Sequence, residues 1–179
     1  MTVETHIASD VFIDLDFSEL ESMINNIKSD NHKIFPEERG ALKDNIYEDC
    51  KFHNMAVNAK FSSVQRNRSL GSMVDLCREA LKKYQPDCGL ELRNSLWYQK
   101  DEYMGWHTNK YSEGFRYYLI WAEEENKSFF DYYEDGELKT ITAPKGWSVN
   151  SFYCGGVGNE LAHQVRSETN RLSLGFRLR

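Results

Sequence analysis

The chain has 179 residues, a formal net charge of −6, 40% hydrophobic and 13% aromatic residues. That length suits one ordinary domain with a real core, and the apolar content excludes a disordered chain. The acidic balance and the absence of any basic block make nucleic acid a poor expected partner.

The first ten residues carry no signal-peptide pattern, and no run approaches a membrane span, so a cytoplasmic protein without membrane contact is expected. Cys50, Cys77, Cys88 and Cys154 lack CxxC-type spacing. Reduced structural cysteines are expected rather than a zinc site or a disulfide framework.

In chain order, Val11-Phe12-Ile13 reads as a short strand or extended lead-in. Ser18 with Glu21 has capping-box spacing, and Leu20, Met23, Ile24 and Ile27 recur at helical period, which predicts a helix ending near Ser29-Asp30. Residues 31–69 carry weak signals: Pro36 and Gly40 punctuate them, 41–47 could hold a short helix, and 65–68 reads as a loop. His53 is expected to be a surface or satisfied histidine. The clearest helix is predicted over Gly71–Tyr84, where Met73, Val74, Cys77, Ala80 and Leu81 form one stripe for packing against a sheet.

After Gly89 the period shortens to two. Leu90 to Gln99 alternates, with Leu96 and Tyr98 on one side and Trp97 on the other. Phe115–Ala122 is almost wholly apolar, as a central strand should be. Ser128–Tyr133 and Leu138–Thr142 flank Asp135-Gly136, a two-residue hairpin signal. Trp147–Cys154, Leu161–Val165 and Arg171–Leu178 complete the strands. Helices first and antiparallel strands afterwards predict an α+β chain with a jelly-roll barrel.

Two histidines far apart in sequence stand out. His107 lies in Trp106-His107-Thr108-Asn109, and an extended backbone there would point His107 and Asn109 the same way. His163 precedes the final strand, where Arg171, Ser173, Gly175 and Arg177 share one face and Leu172, Leu174, Phe176 and Leu178 the other. A charged row opposite an apolar row fits a strand that seals a core on one side and lines a cavity on the other. It also fits an edge strand with its arginines in solvent.

Tyr98, Tyr103, His107-x-Asn109, Arg116, the hairpin region after Phe129, Pro144-Lys145-Gly146, His163-x-Val165 and Arg171-x-Ser173 together resemble the iron(II)- and 2-oxoglutarate-dependent oxygenases, prolyl-4-hydroxylase-like branch. The resemblance covers the half from Leu90 onward. It implies a double-stranded β-helix with supporting N-terminal helices: one domain over 1–179, with 1–88 mainly helical support and 89–179 the barrel core. It implies Fe(2+) held by His107, Asn109 and His163. It implies 2-oxoglutarate held by Arg171, Ser173 and Tyr98, with His107, His163 and Arg171 catalytic. The implied activity is hydroxylation of an unknown small-molecule or peptide substrate, with 2-oxoglutarate decarboxylated to succinate.

Two departures accompany the resemblance. Asn109 stands where the family carries aspartate, and an amide oxygen brings no negative charge. A weak amide ligand, a completing water, a halide in the vacant position, or a dead site all remain open, as does a carboxylate from Asp101 or Glu102 if the loop folds back. The second departure is Asn126-Lys127-Ser128-Phe129-Phe130 in place of the family's Gly-Gly-x-x-Phe. Arg177 is the rival anchor for 2-oxoglutarate, and Lys145 and Arg116 are candidates for the mouth. Trp106, Tyr117, Tyr118 and Trp121 are expected in the core. The alternative function is a non-catalytic binding module on the same barrel, with a cupin-like metal protein ranked after it.

Overall fold

The computed structural model describes residues 4–7, 17–29, 34–39, 56, 58–64, 68–84, 86–87 and 89–178. Among these residues eleven strands and two helices follow in the order β1 (Glu4–Ile7), α1 (Phe17–Ser29), β2 (Ile34–Arg39), β3 (Ala59–Val64), α2 (Arg68–Tyr84), β4 (Leu90–Tyr98), β5 (Glu102–His107), β6 (Gly114–Ala122), β7 (Ser128–Glu134), β8 (Glu137–Thr142), β9 (Gly146–Cys154), β10 (His163–Ser167) and β11 (Arg171–Leu178).

All pairings are antiparallel, and the strand path runs β1-β9-β6-β11-β4-β3-β5-β10-β7-β8, with β2 attached to β3. β3 is the hinge of this path. It bonds β4 through Ser62 and Ser63 and β5 through Ala59 and Lys60, so it joins β9-β6-β11-β4 to β5-β10-β7-β8. The path curls until its two halves touch: Phe152 of β9 lies 5.1 Å from Phe130 of β7 and 5.2 Å from His163 of β10, ring centre to ring centre. The result is a mostly antiparallel sheet curled into a half-barrel of jelly-roll character.

Alternation decides which face meets which neighbour. Leu172, Leu174 and Phe176 of β11 join Trp97, Leu119, Trp121 and Val149 on the outer face. There they pack under Leu20, Ile24 and Ile27 of α1 and Leu70, Met73, Val74 and Cys77 of α2. Each such side chain contributes about 1.5–3 kcal/mol by leaving water, so the helices are held by the apolar row opposite the arginines. Glu21 accepts the Trp121 indole hydrogen at 2.8 Å, and Lys28 pairs with Glu123, which fixes α1 over β6.

The hairpin at Asp135-Gly136 joins β7 to β8 with φ of 54° and 82°, the left-handed pair that a two-residue turn requires. Cys77 and Cys154 are buried and free. Cys50, Cys88, His53, Val11-Phe12-Ile13 and 41–47 lie outside the described residues.

Three expectations need correction. β2 and β3 occupy a region without a clear sequence signal, since their order comes from pairing with each other and with β4 and β5. The second helix begins at Arg68, earlier than the apolar stripe indicates. β10 begins at His163 rather than Leu161. No described helix is long and apolar enough to cross a membrane.

Candidate active site

The inner face of the curl encloses a cavity of about 380 Å³. Residues from both halves of the sheet line it: Tyr98, Arg171, Ser173, Tyr118 and Asn150 from one, His107, His163, Phe130 and Val165 from the other, with Asn109 beyond β5. The alternation that sends Leu172 and Leu174 to the helices sends Arg171 and Ser173 inward. Gly175 on the same row has a steric reason: a Cβ there would lie 2.4 Å from Asn94 Oδ1 and 2.8 Å from the Tyr118 ring.

His107 and His163 are directly opposite in the β5–β10 pairing, with ring centres 4.2 Å apart. Nδ1 of His107 is 2.9 Å from the Gly105 carbonyl oxygen, and Nδ1 of His163 is 2.9 Å from that of Leu161. A carbonyl only accepts, so each Nδ1 carries the proton and each Nε2 keeps its lone pair. Burial holds both rings neutral. It lowers the His107 pKa from 6.5 to about 4 against the Gly105 bond. It lowers that of His163 well below 6.5, helped by the neighbouring His107 and Arg116.

Asn109 reaches the pair by a different route from the expected one. β5 ends at His107, and Asn109 sits in the left-handed region at φ 55°, a conformation asparagine tolerates better than most residues. Its amide Nδ2 donates to His163 Nε2 at 3.3 Å. The turn that carries it is closed by Ser112 N donating to Asn109 O at 2.9 Å.

Among the described residues no acid replaces the missing carboxylate. Among the described residues no group of three or more His, Cys, Asp and Glu side chains is arranged to hold a metal. Glu102 instead accepts the Gln99 amide hydrogen at 2.8 Å in the β4–β5 turn, where Asp101 also lies. The donors present are two neutral imidazoles and one amide, whose oxygen would face the same point after a half-turn of the side chain. That set suits a divalent transition ion in donor type, without the charge a carboxylate would add.

Arg171 is 2% exposed, yet its Nε and Nη1 have no partner among the described residues. Its guanidinium carbon stands 5.0 Å from the Tyr98 ring, and Tyr98 accepts a hydrogen bond from it. Burial pushes the Tyr98 phenol above its ordinary pKa, against the pull of Arg171. A buried guanidinium with idle donors, facing a cavity beside a serine hydroxyl, fits a carboxylate of a bound diacid. Arg177, the rival, does not line the cavity; its Nη2 donates to the Glu113 carbonyl at 2.7 Å.

Other expected positions divide. Arg116 lines the cavity and Lys145 does not. Tyr117 and Trp121 join the helix-side core, and Trp106 packs on Tyr133 at 5.2 Å. Tyr118 departs from the core expectation: it faces the cavity, stacked on Phe152 at 5.5 Å, with its phenol pushed up to about 12 by burial. Ala59, Phe61 and Ser63 of β3, and Asn94 and Asn150, also line the cavity and carry no functional signal in sequence.

Three solved structures share the fold. The chain is similar to a Pseudomonas putida prolyl-4-hydroxylase at 13% identity and TM-score 0.57, over 99% of this chain and 92% of that one. It is similar to a 2OG-Fe(II) oxygenase family oxidoreductase from Burkholderia pseudomallei at 12% identity and TM-score 0.62, over 98% and 84%. It is similar to a Trichoplax adhaerens prolyl hydroxylase, solved with a hypoxia inducible factor peptide fragment, at 11% identity and TM-score 0.57, over 98% and 82%. At these identities the likeness is one of fold. No protein-family model and no curated protein matches the sequence.

Proposed function

We propose that this chain is an iron(II)- and 2-oxoglutarate-dependent oxygenase that hydroxylates its substrate, in a double-stranded β-helix domain whose 89–179 strands are completed by β3 from the segment 1–88. The observation that carries the reading is one cavity holding two imidazoles with unprotonated Nε2 atoms and a buried guanidinium with two nitrogens that have no partner among the described residues. The fold shared with solved 2OG-Fe(II) oxygenases supports it.

In this reading His107 and His163 hold the metal and Asn109 turns its amide oxygen toward it. Arg171 grips the far carboxylate of the co-substrate by a charge-assisted fork, Ser173 adds a hydroxyl, and Tyr98 flanks the guanidinium. Bound iron with the keto acid would supply oxygen activation, the acid leaving as succinate. The chain's own work is electrostatic and steric. The Gly105 and Leu161 carbonyls fix both ring tautomers, as carbonyls behind metal-bound histidines do. Val165, Phe130 and Ile120 keep the cavity wall apolar, which strengthens every ionic contact inside.

Anaerobic titration with ferrous iron and 2-oxoglutarate tests the proposal. The visible charge-transfer band of the chelate should appear and should vanish in His163→Ala. Absence of the band and of succinate formation in the wild type, with neither restored by Asn109→Asp, would make this chain a binding module instead.

A further inference from the structure

We propose that the part of the same cavity lined by Arg116 is a second anion site, with Arg177 beside it, and that the substrate is a small organic acid docked there by its carboxylate or phosphate. The inference rests on the oxygenase reading for the word substrate, and on β6 and β11 alone for the site.

The β6–β11 register sets Arg116 directly opposite Arg177. Like charges in that position destabilise a sheet. Both guanidinium groups flank one point: a Cβ on Gly114 would lie 3.6 Å from Arg177 Nε and 3.8 Å from Arg116 Nη1. Arg116 is 5% exposed and faces the cavity. Its contacts are the Ser112 carbonyl, the Ser112 hydroxyl at 2.9 Å and the Phe115 carbonyl at 3.4 Å. These neutral oxygens orient the guanidinium and cancel none of its charge. Arg177 Nε is buried and has no partner among the described residues. Glu113, whose carbonyl accepts from Arg177 Nη2, has its carboxylate engaged by the Tyr153 hydroxyl at 2.5 Å. Among the described residues no carboxylate pairs with Arg116 or Arg177, and no Asp or Glu lines the cavity.

Six residue steps of β11 separate Arg171 from Arg177, about 20 Å of extended chain. A keto diacid with one carboxylate on Arg171 would commit its other to the metal between the histidines, which leaves the charge on Arg116 to another acid. Asn109 sharpens the imbalance, since the described residues supply no carboxylate beside the imidazoles. Uncompensated buried positive charge is costly, and an acidic group arriving with the substrate removes that cost. A cavity of about 380 Å³ is at the small end of ligand sites, which favours a small molecule.

The full chain, preloaded with manganese(II) and 2-oxoglutarate, should be titrated calorimetrically with monocarboxylates from acetate to octanoate, the matching phosphate monoesters and the uncharged primary amides. At least one acid series should bind about tenfold or more tighter than its amides, a gap set by one charge-assisted pair. Whichever series shows it identifies the oxyanion. Arg116→Gln should erase the gap and leave 2-oxoglutarate affinity unchanged, Arg177→Gln should narrow it, and Arg116→Lys should keep most of it with an unchanged Tm. Acids and amides binding alike to the wild type would overturn the proposal. So would a loss of 2-oxoglutarate affinity in Arg116→Gln, which would hand that residue to the co-substrate. The acid titration repeated on bare wild type and bare Arg116→Gln separates the two readings. Without uptake of manganese and 2-oxoglutarate, a preference for acids that Arg116→Gln erases sinks the oxygenase and keeps the anion site, and one that Arg116→Gln leaves intact belongs to Arg171 and sinks the anion site.

Discussion

Arg171→Met should make the ligand-free protein more stable while destroying its response to 2-oxoglutarate. Arg171 is 2% exposed, and two of its nitrogens have no partner among the described residues. Each unmet buried donor costs about 1–3 kcal/mol. Methionine keeps an unbranched apolar stem in the same space and carries no donor. The substitution forfeits the guanidinium–Tyr98 contact at 5.0 Å, worth about 1–2 kcal/mol. The net expectation is a gain of about 1–3 kcal/mol, or about 2–4 °C in Tm per kcal/mol for a chain of this size. Urea unfolding with and without manganese and 2-oxoglutarate reads both halves. At a hundred times Kd the co-substrate should add about 2.7 kcal/mol to the wild type and nothing to the variant. A ligand-free variant less stable than the wild type, or equal stabilisation of both proteins by 2-oxoglutarate, would refute the reasoning.

Asn109→Asp should tighten ferrous or manganese binding by about tenfold or more, since an anionic oxygen replaces a neutral one beside two neutral imidazoles; anaerobic metal titration measures it, and unchanged affinity would remove Asn109 from the metal's surroundings. Ligand-free stability should fall as pH drops below 6.5. The folded His107, with its pKa lowered to about 4, refuses a proton that the unfolded chain accepts. Its contribution is present above pH 6.5 and is lost toward pH 4, by about 3 kcal/mol. Denaturant midpoints at pH 7.5 and 4.5 should therefore differ less in His107→Gln than in the wild type. Gly175→Ala should cost about 1–3 kcal/mol by overpacking, because its Cβ would meet Asn94 and Tyr118 at 2.4 and 2.8 Å; thermal melts check it, and a neutral result would show that both neighbours yield.

By itself the sequence determined what repeats locally. Period-two alternation in Arg171–Leu178 puts Leu172 and Leu174 on one face and Arg171 and Ser173 on the other, because a strand sends neighbouring side chains to opposite faces, and the structure makes the first face core and the second cavity. The Asp135-Gly136 turn is equally local, since its backbone angles suit those residue types. Tertiary structure alone decided the rest. β3 reads as weak chain, yet it joins the two halves of the curl and lines the site, since its order comes from partners distant in sequence. Asn109 reaches His163 through a left-handed residue after the strand ends, where simple alternation gives no answer. Tyr118 turns inward and Arg116 faces Arg177 because strand register, set by long-range hydrogen bonds, chooses which side chains meet.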